Sequence, residues 1–170
     1  RRSIVLLKNE SLLPVDTQKF KKILVTGPNA NNQSIMGDWV FEQPEKNVST
    51  ILKGIKEEAS GTQINYVDVG WNMRALDSAK IEKAIQTAKS SDLAIVIVGE
   101  DSFRQHWKEK TCGENRDRMD ITLWGKQDYL VESIYKTGVP TIVILINGRP
   151  LATGWVAENI PAVIEAWEPG

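Results

Sequence analysis

Leu93-Ala-Ile-Val-Ile-Val-Gly99 is apolar or glycine at every position. A run without alternation suits a strand covered on both faces, as in parallel sheets lying between helices. Just before it, Asp77 or Ser78 caps a helix whose Ile81, Ala84, Ile85 and Ala88 recur on one face. Just after it come Glu100 and a charged stretch reaching Arg118. In open α/β sheets ligands bind beyond the carboxyl ends of the strands, so function is expected between residues 99 and 118.

The same grammar repeats on either side. Lys22 to Thr26 reads as the first core strand, with the turn Gly27 to Asn32 after it. Ser49 or Thr50 caps a helix to about Glu58, closed by Gly61, and Gln63 to Val69 alternates as a strand. Downstream, a helix from about Lys126 to Lys136 stops at Gly138, and Pro140 to Ile146 is a second buried strand. Leu151 to Ala157 reads as a short helix and Ala162 to Ala166 as the last strand. This alternation predicts an α/β fold, a three-layer α/β/α sandwich with a mostly parallel sheet. Arg1 to Leu7 reads as the last turns of a helix without an N-cap, running into an extended segment that ends at Pro14. Residues 1–14 are therefore expected to be a truncated helix and interdomain linker, and 15–170 a sandwich domain cut at both ends from a longer protein.

With 170 residues the chain can bury a proper core as one domain. Its 21 basic and 22 acidic residues leave a net charge of −1, so it carries no electrostatic footprint for nucleic acid or an anionic membrane. Neither is an expected partner, whereas a neutral ligand stays open. A single cysteine excludes an internal disulfide framework and any multi-cysteine metal site.

The 100–118 loop exceeds what a connector inside a domain requires. It holds His106 and Cys112, each the only one of its kind, together with Phe103, Trp107, Glu100, Asp101, Glu109, Glu114 and Asp117. Neither G-x-G-x-x-G nor G-x-x-x-x-G-K-[ST] follows the first strand, so the glycines that bring a backbone to phosphate are missing. A flavodoxin-like nucleotide-binding domain is disfavoured on the same ground. His106 reads as a loop or surface residue and Cys112 as a small buried side chain. Carboxylates remain, and glycoside hydrolysis needs two of them. Glu100, Glu109 and Glu114 are candidates, although Lys108-Glu-Lys110 and Glu114-Asn-Arg-Asp-Arg118 read equally as solvated, self-paired surface. Nearer the first strand, Met36-Gly-Asp-Trp-Val40 sets a carboxylate beside an indole. Trp39 can stack on a sugar while Asp38 accepts its hydroxyls; the competing reading, preferred on the residues alone, makes Trp39 a core anchor and Asp38 a turn residue.

Several stretches taken together carry more than any one of them. They are Ser3-Ile-Val-Leu-Leu-Lys-Asn-Glu-Ser-Leu-Leu-Pro14, Ile23-Leu-Val-Thr-Gly-Pro-Asn-Ala30, Gly37-Asp-Trp39, Ala94-Ile-Val-Ile-Val-Gly-Glu100, Gly113-Glu-Asn-Arg-Asp-Arg118, Asn147-Gly-Arg-Pro-Leu151 and Glu165-Ala-Trp-Glu-Pro-Gly170. In this order they resemble the C-terminal α/β-sandwich domain of family 3 glycoside hydrolases, the β-glucosidase-like enzymes.

The resemblance implies a retaining exo-acting β-glycosidase, a β-glucosidase first of all, acting on a β-linked glucoside or oligosaccharide without cofactor or metal. Its Asp nucleophile would lie on an N-terminal (β/α)₈ barrel outside these residues, and a loop of the sandwich would supply the acid/base. The matching position is Glu114, with Arg118 as the arginine of the Glu-x-x-x-Arg segment and Glu100 as runner-up for the acid. Asp38, Trp39, Trp107 and Arg118 are the implied substrate-binding residues, Trp107 either lining the sugar site or propping the loop. Arg149 reads as a contact to the barrel or as a solvated turn residue. Because a general acid must hold its proton, one or both of Arg116 and Arg118 are expected to face Asp117, Asp120 or the domain interface instead of the acid. The isolated chain is expected to be inactive. Family members are often exported, so the resemblance implies a periplasmic or secreted location that nothing in these residues encodes. The alternative is a non-catalytic carbohydrate-binding or structural α/β domain bordering another domain's site.

Overall fold

The computed structural model describes residues 3–170. Ten regular elements succeed one another as β1 (Val5–Asn9), β2 (Lys22–Thr26), α1 (Ile51–Glu58), β3 (Gln63–Val67), α2 (Ser78–Ala88), β4 (Leu93–Gly99), α3 (Gln127–Tyr135), β5 (Thr141–Ile146), α4 (Gly154–Asn159) and β6 (Ala162–Glu165). The six strands form one sheet in the order β1-β6-β5-β4-β2-β3, all parallel except β1, which runs antiparallel to β6.

Strand β4 lies at the centre and is buried at every residue. Successive strand side chains point to opposite faces, so one strand supplies two cores. Ala94, Val96 and Val98 pack with Ile81 and Ile85 of α2, Leu130 and Ile134 of α3, and Val156 of α4. Leu93, Ile95 and Ile97 pack on the other face with Leu52 of α1, Phe20, Ile35 and Val48. The sandwich is therefore unequal, with three helices on one side and a single helix plus irregular chain on the other.

Local chemistry explains the helix starts. Thr50 accepts the Lys53 N–H at 3.2 Å to cap α1, and Asp77 accepts the Ala79 and Lys80 N–H groups to cap α2. Helix α4 begins three residues later than expected, because the Ala152 N–H is taken by the Ile121 carbonyl at 3.0 Å.

The first segment departs from expectation more sharply. Val5–Asn9 is an edge strand and not the tail of a helix, paired with Ala162 to Glu165 of β6 across a register shift between Leu6 and Lys8; Arg1 and Arg2 lie outside the described residues. Four consecutive apolar residues fit either period, and pairing with β6 settled the choice.

From β2 the chain crosses to β3 on one side and then returns to β4 on the other. The strand order reverses there, so the loops leaving β2 and β4 diverge and leave a crevice between them.

Candidate active site

The crevice is built from residues 27–50 after β2 and 100–126 after β4. Two glycines let the backbones meet. At Gly27 a Cβ would stand 2.0 Å from the Ile97 carbonyl oxygen, and at Gly99 a Cβ would stand 1.9 Å from that of Ile146. Both also have positive φ, which glycine alone adopts at no steric cost. Buried Asn29 then staples the two loops, its amide donating to the Glu100 carbonyl at 3.0 Å.

Asp101 organises the start of the second loop. Its carbonyl accepts the Thr111 and Cys112 N–H groups at 2.7 and 3.3 Å, closing residues 101–112 on themselves. Its carboxylate accepts the Phe103 N–H at 2.9 Å and lies 2.5 Å from His106 Nδ1. The His106 ring stacks on Trp71 with centroids 3.9 Å apart. His106 is thus a half-buried brace of the loop.

The closed loop delivers Lys110 to the interior. Its side chain is 0% exposed, and Nζ donates to both Asp38 oxygens at 3.1 and 3.0 Å. Asp38 also accepts the Glu114 backbone N–H at 2.6 Å. Gly113 makes that approach possible, since a Cβ there would lie 2.6 Å from Asp38 Oδ2. Burial pushes the Asp38 carboxyl up, but the Glu114 N–H, the Lys110 ammonium and Arg104 together outweigh it and hold the carboxyl below its ordinary value.

Glu114 itself stands at the surface, its side chain 40% exposed and its Oε2 accepting from Arg104 at 3.0 Å. Glu100 has the opposite setting. It is fully buried between Arg118 at 3.1 Å and Arg149 at 3.2 Å. Arg149 is held over it by the 147–150 turn, where Asn147 donates to the Arg149 carbonyl and to Glu165.

This fold, with its two crevice loops, matches known proteins. The sequence model of the glycosyl hydrolase family 3 C-terminal domain covers residues 4–170. The chain belongs to that family.

A β-xylosidase of Formosa agariphila is 39% identical to this family 3 domain over 99% of the chain, and a periplasmic β-glucosidase of Salmonella typhimurium is 30% identical over all of it. The chain spans only 23% and 24% of those two proteins. Among solved structures, a β-glucosidase from Listeria innocua in complex with isofagomine superposes with a TM-score of 0.83 at 28% identity, covering 99% of this chain and 22% of that one.

Within this family 3 domain Trp39 is 72% exposed, so it anchors no core. It lies under the Arg104 guanidinium at 3.9 Å. Trp107 is also exposed and packs against Arg104, Lys110 and Arg116 at 5.3, 4.4 and 5.3 Å from its ring centre. Arg118 pairs with Glu100 and donates to the Thr122 carbonyl at 2.6 Å. Arg116 donates to the carbonyls of Lys110, Asn115 and Trp107. Neither arginine pairs with Asp117 or Asp120: Arg116 is taken up by the three loop carbonyls, and Arg118 by the buried Glu100 carboxylate, which has the stronger claim on a cation.

Three residues of this domain's site were not singled out in the sequence. Lys110 sits in a stretch that reads as solvated charge, and Arg104 has no local partner in sequence to mark it. Glu168 accepts from the Ser102 hydroxyl. Burial raises its carboxyl above the ordinary value, Ser102 lowers it, and Asp38, Glu100 and Asp101 raise it further. Cys112 is buried, and burial together with Glu100 pushes its thiol well up, so it stays protonated and is no nucleophile. A cleft of about 450 Å³ lies nearby, lined by Asn31, Lys53, Tyr66, Asp68, Trp71 and His106 among others. Glu114 does not line it. Among the described residues no three His, Cys, Asp or Glu side chains converge as metal ligands.

Proposed function

We propose that this chain is the second domain of a retaining β-glycosidase and supplies the acid/base carboxyl, Glu114, to an active site completed by an Asp nucleophile on a (β/α)₈ barrel of the same protein. In the first step the nucleophile attacks the anomeric carbon while Glu114 gives its proton to the departing glycosidic oxygen. In the second, ionised Glu114 takes a proton from the water that displaces the enzyme from the sugar.

One contrast supports this choice. Glu114 presents an exposed carboxyl on a backbone pinned by Asp38, whereas Glu100 is enclosed by two arginines and reaches no surface. An acid must come within hydrogen-bond reach of its substrate, and Glu114 alone of these two can. Trp39 and Trp107 stand exposed around Arg104 and supply flat apolar faces for a sugar ring. The identity to a β-xylosidase exceeds that to a β-glucosidase, so a β-xyloside stands beside the β-glucoside as substrate.

Replacing Glu114 by Ala in the full-length protein tests the reading. Loss of a general acid costs about 10²–10⁴-fold in rate on a poor leaving group. Azide then restores turnover of an activated aryl glycoside and yields the glycosyl azide. An unchanged rate would leave the chain as a non-catalytic domain bordering another domain's site.

A further inference from the structure

Arg104 comes from the loop after β4, and four groups hold it. NH1 donates to Glu114 Oε2 at 3.0 Å and lies 3.5 Å from Asp38 Oδ1. The guanidinium carbon sits 3.9 Å from the ring centre of Trp39 and 5.3 Å from that of Trp107. Trp39 and Asp38 belong to the loop after β2, so Arg104 ties both walls of the crevice to one carboxyl.

We infer that Arg104 is a positioning residue for the Glu114 side chain, an inference that rests on the acid/base reading of Glu114. Asp38 fixes the Glu114 backbone, but a glutamate at the surface keeps its side-chain rotations, and a carboxyl that wanders is a poor acid. Proton transfer requires the heavy atoms to be within hydrogen-bond reach, and a small misplacement is costly. A planar guanidinium stacked on an indole has few orientations of its own, so it passes that order to the group it binds. It also binds one oxygen only. Oε2 is held by Arg104, whose charge is shared with the Asp38 carboxylate at 3.5 Å and so is not spent on Glu114 alone, and Oε1 is left to carry the proton that goes to the glycosidic oxygen and to receive the one that returns from water. Asp38 Oδ1 and the Trp39 face keep Arg104 in place through both steps.

The test uses the full-length protein with Arg104→Met, Arg104→Lys and Glu114→Ala, assayed on aryl β-xylosides and β-glucosides whose leaving groups run from dinitrophenol to phenol. Acid catalysis matters most when the leaving group is poor. Arg104→Met should therefore lose about tenfold more kcat/KM on the phenyl glycoside than on the dinitrophenyl one. KM on the activated substrate should stay within about twofold, and Lys should recover part of the loss. In the Glu114→Ala background the Met change should add no further dependence on leaving group. A uniform loss across leaving groups, or a change confined to KM, overturns the positioning role. Should the Met variant not fold, the Lys variant is read for the same trend, and a flat profile there overturns it equally. The two readings separate cleanly. If Glu114→Ala shows no leaving-group trend, the acid/base assignment falls and this inference with it; if Glu114→Ala shows the trend and Arg104→Met does not, only the positioning role falls.

Discussion

The carboxylate of Asp38 accepts the backbone N–H of Glu114 at 2.6 Å, joining residues 76 positions apart in sequence. The same carboxylate neutralises Lys110, a lysine with no exposed side-chain surface. Removing one partner of such a pair strands the other, at about 3–5 kcal/mol. Asp38→Ala is therefore expected to lower the thermal midpoint of the chain by about 10 °C, using about 2–4 °C per kcal/mol for this size. Lys110→Met, which removes the stranded charge, should recover much of that loss in the double variant. Melting followed by circular dichroism checks both, and additive losses in the double variant would contradict the pairing.

Gly113 gives a finer test of the same contact. Its φ is +85°, and a Cβ would meet Asp38 Oδ2 at 2.6 Å. Gly113→Ala is expected to destabilise by about 1–3 kcal/mol through backbone strain and to break the bond to the Glu114 N–H. The Glu114 amide should then lose protection from hydrogen exchange while amides in β4 keep theirs. In the full-length protein kcat should fall with little change in KM.

Elements built from local contacts were legible in the sequence, and contacts between distant loops were not. Lys22–Thr26 and Leu93–Gly99 are strands with the bounds their apolar runs predict, and Thr50 and Asp77 cap the helices that their positions announce. Glu165 and Asn147, by contrast, meet only across two strands. Lys110 looks like solvated charge between Glu109 and Thr111, because its partner Asp38 lies in the loop of another strand. Residues 4–7 were misleading for a related reason. The choice between helix and strand was made by β6, at the far end of the chain.

Glu100 and Glu114 should respond differently to the same change. Glu100→Gln leaves Arg118 and Arg149 facing a neutral amide in a buried site, at a cost of about 3–5 kcal/mol. Activity should fall in step with the folded fraction, and azide should restore none of it. Glu114→Gln should instead leave the melting temperature within about 2 °C, since exposed ion pairs contribute little. Paired melting and rescue assays on the two variants check this, and rescue of the Glu100 variant would reassign the acid.

Glu168 and Asp38 bend stability with pH in opposite directions. Asp38 titrates lower in the fold than its ordinary 3.8, so its contribution is present above that value and is lost as pH falls through the lower folded one. Glu168 titrates higher than its ordinary 4.5, chiefly because it is buried, with Asp38, Glu100 and Asp101 adding to the effect. Its contribution is full below 4.5 and is lost as pH rises through the raised value, since the unfolded chain ionises there while the folded site resists. Glu168→Gln keeps an oxygen for the Ser102 hydroxyl and removes the charge. It should therefore leave the midpoint near pH 4 almost unchanged and raise it at about pH 7. Melting temperatures of the two proteins at both pH values are the measurement, and a variant less stable than the parent at the higher pH would mean that the ionised carboxylate is favoured by this site.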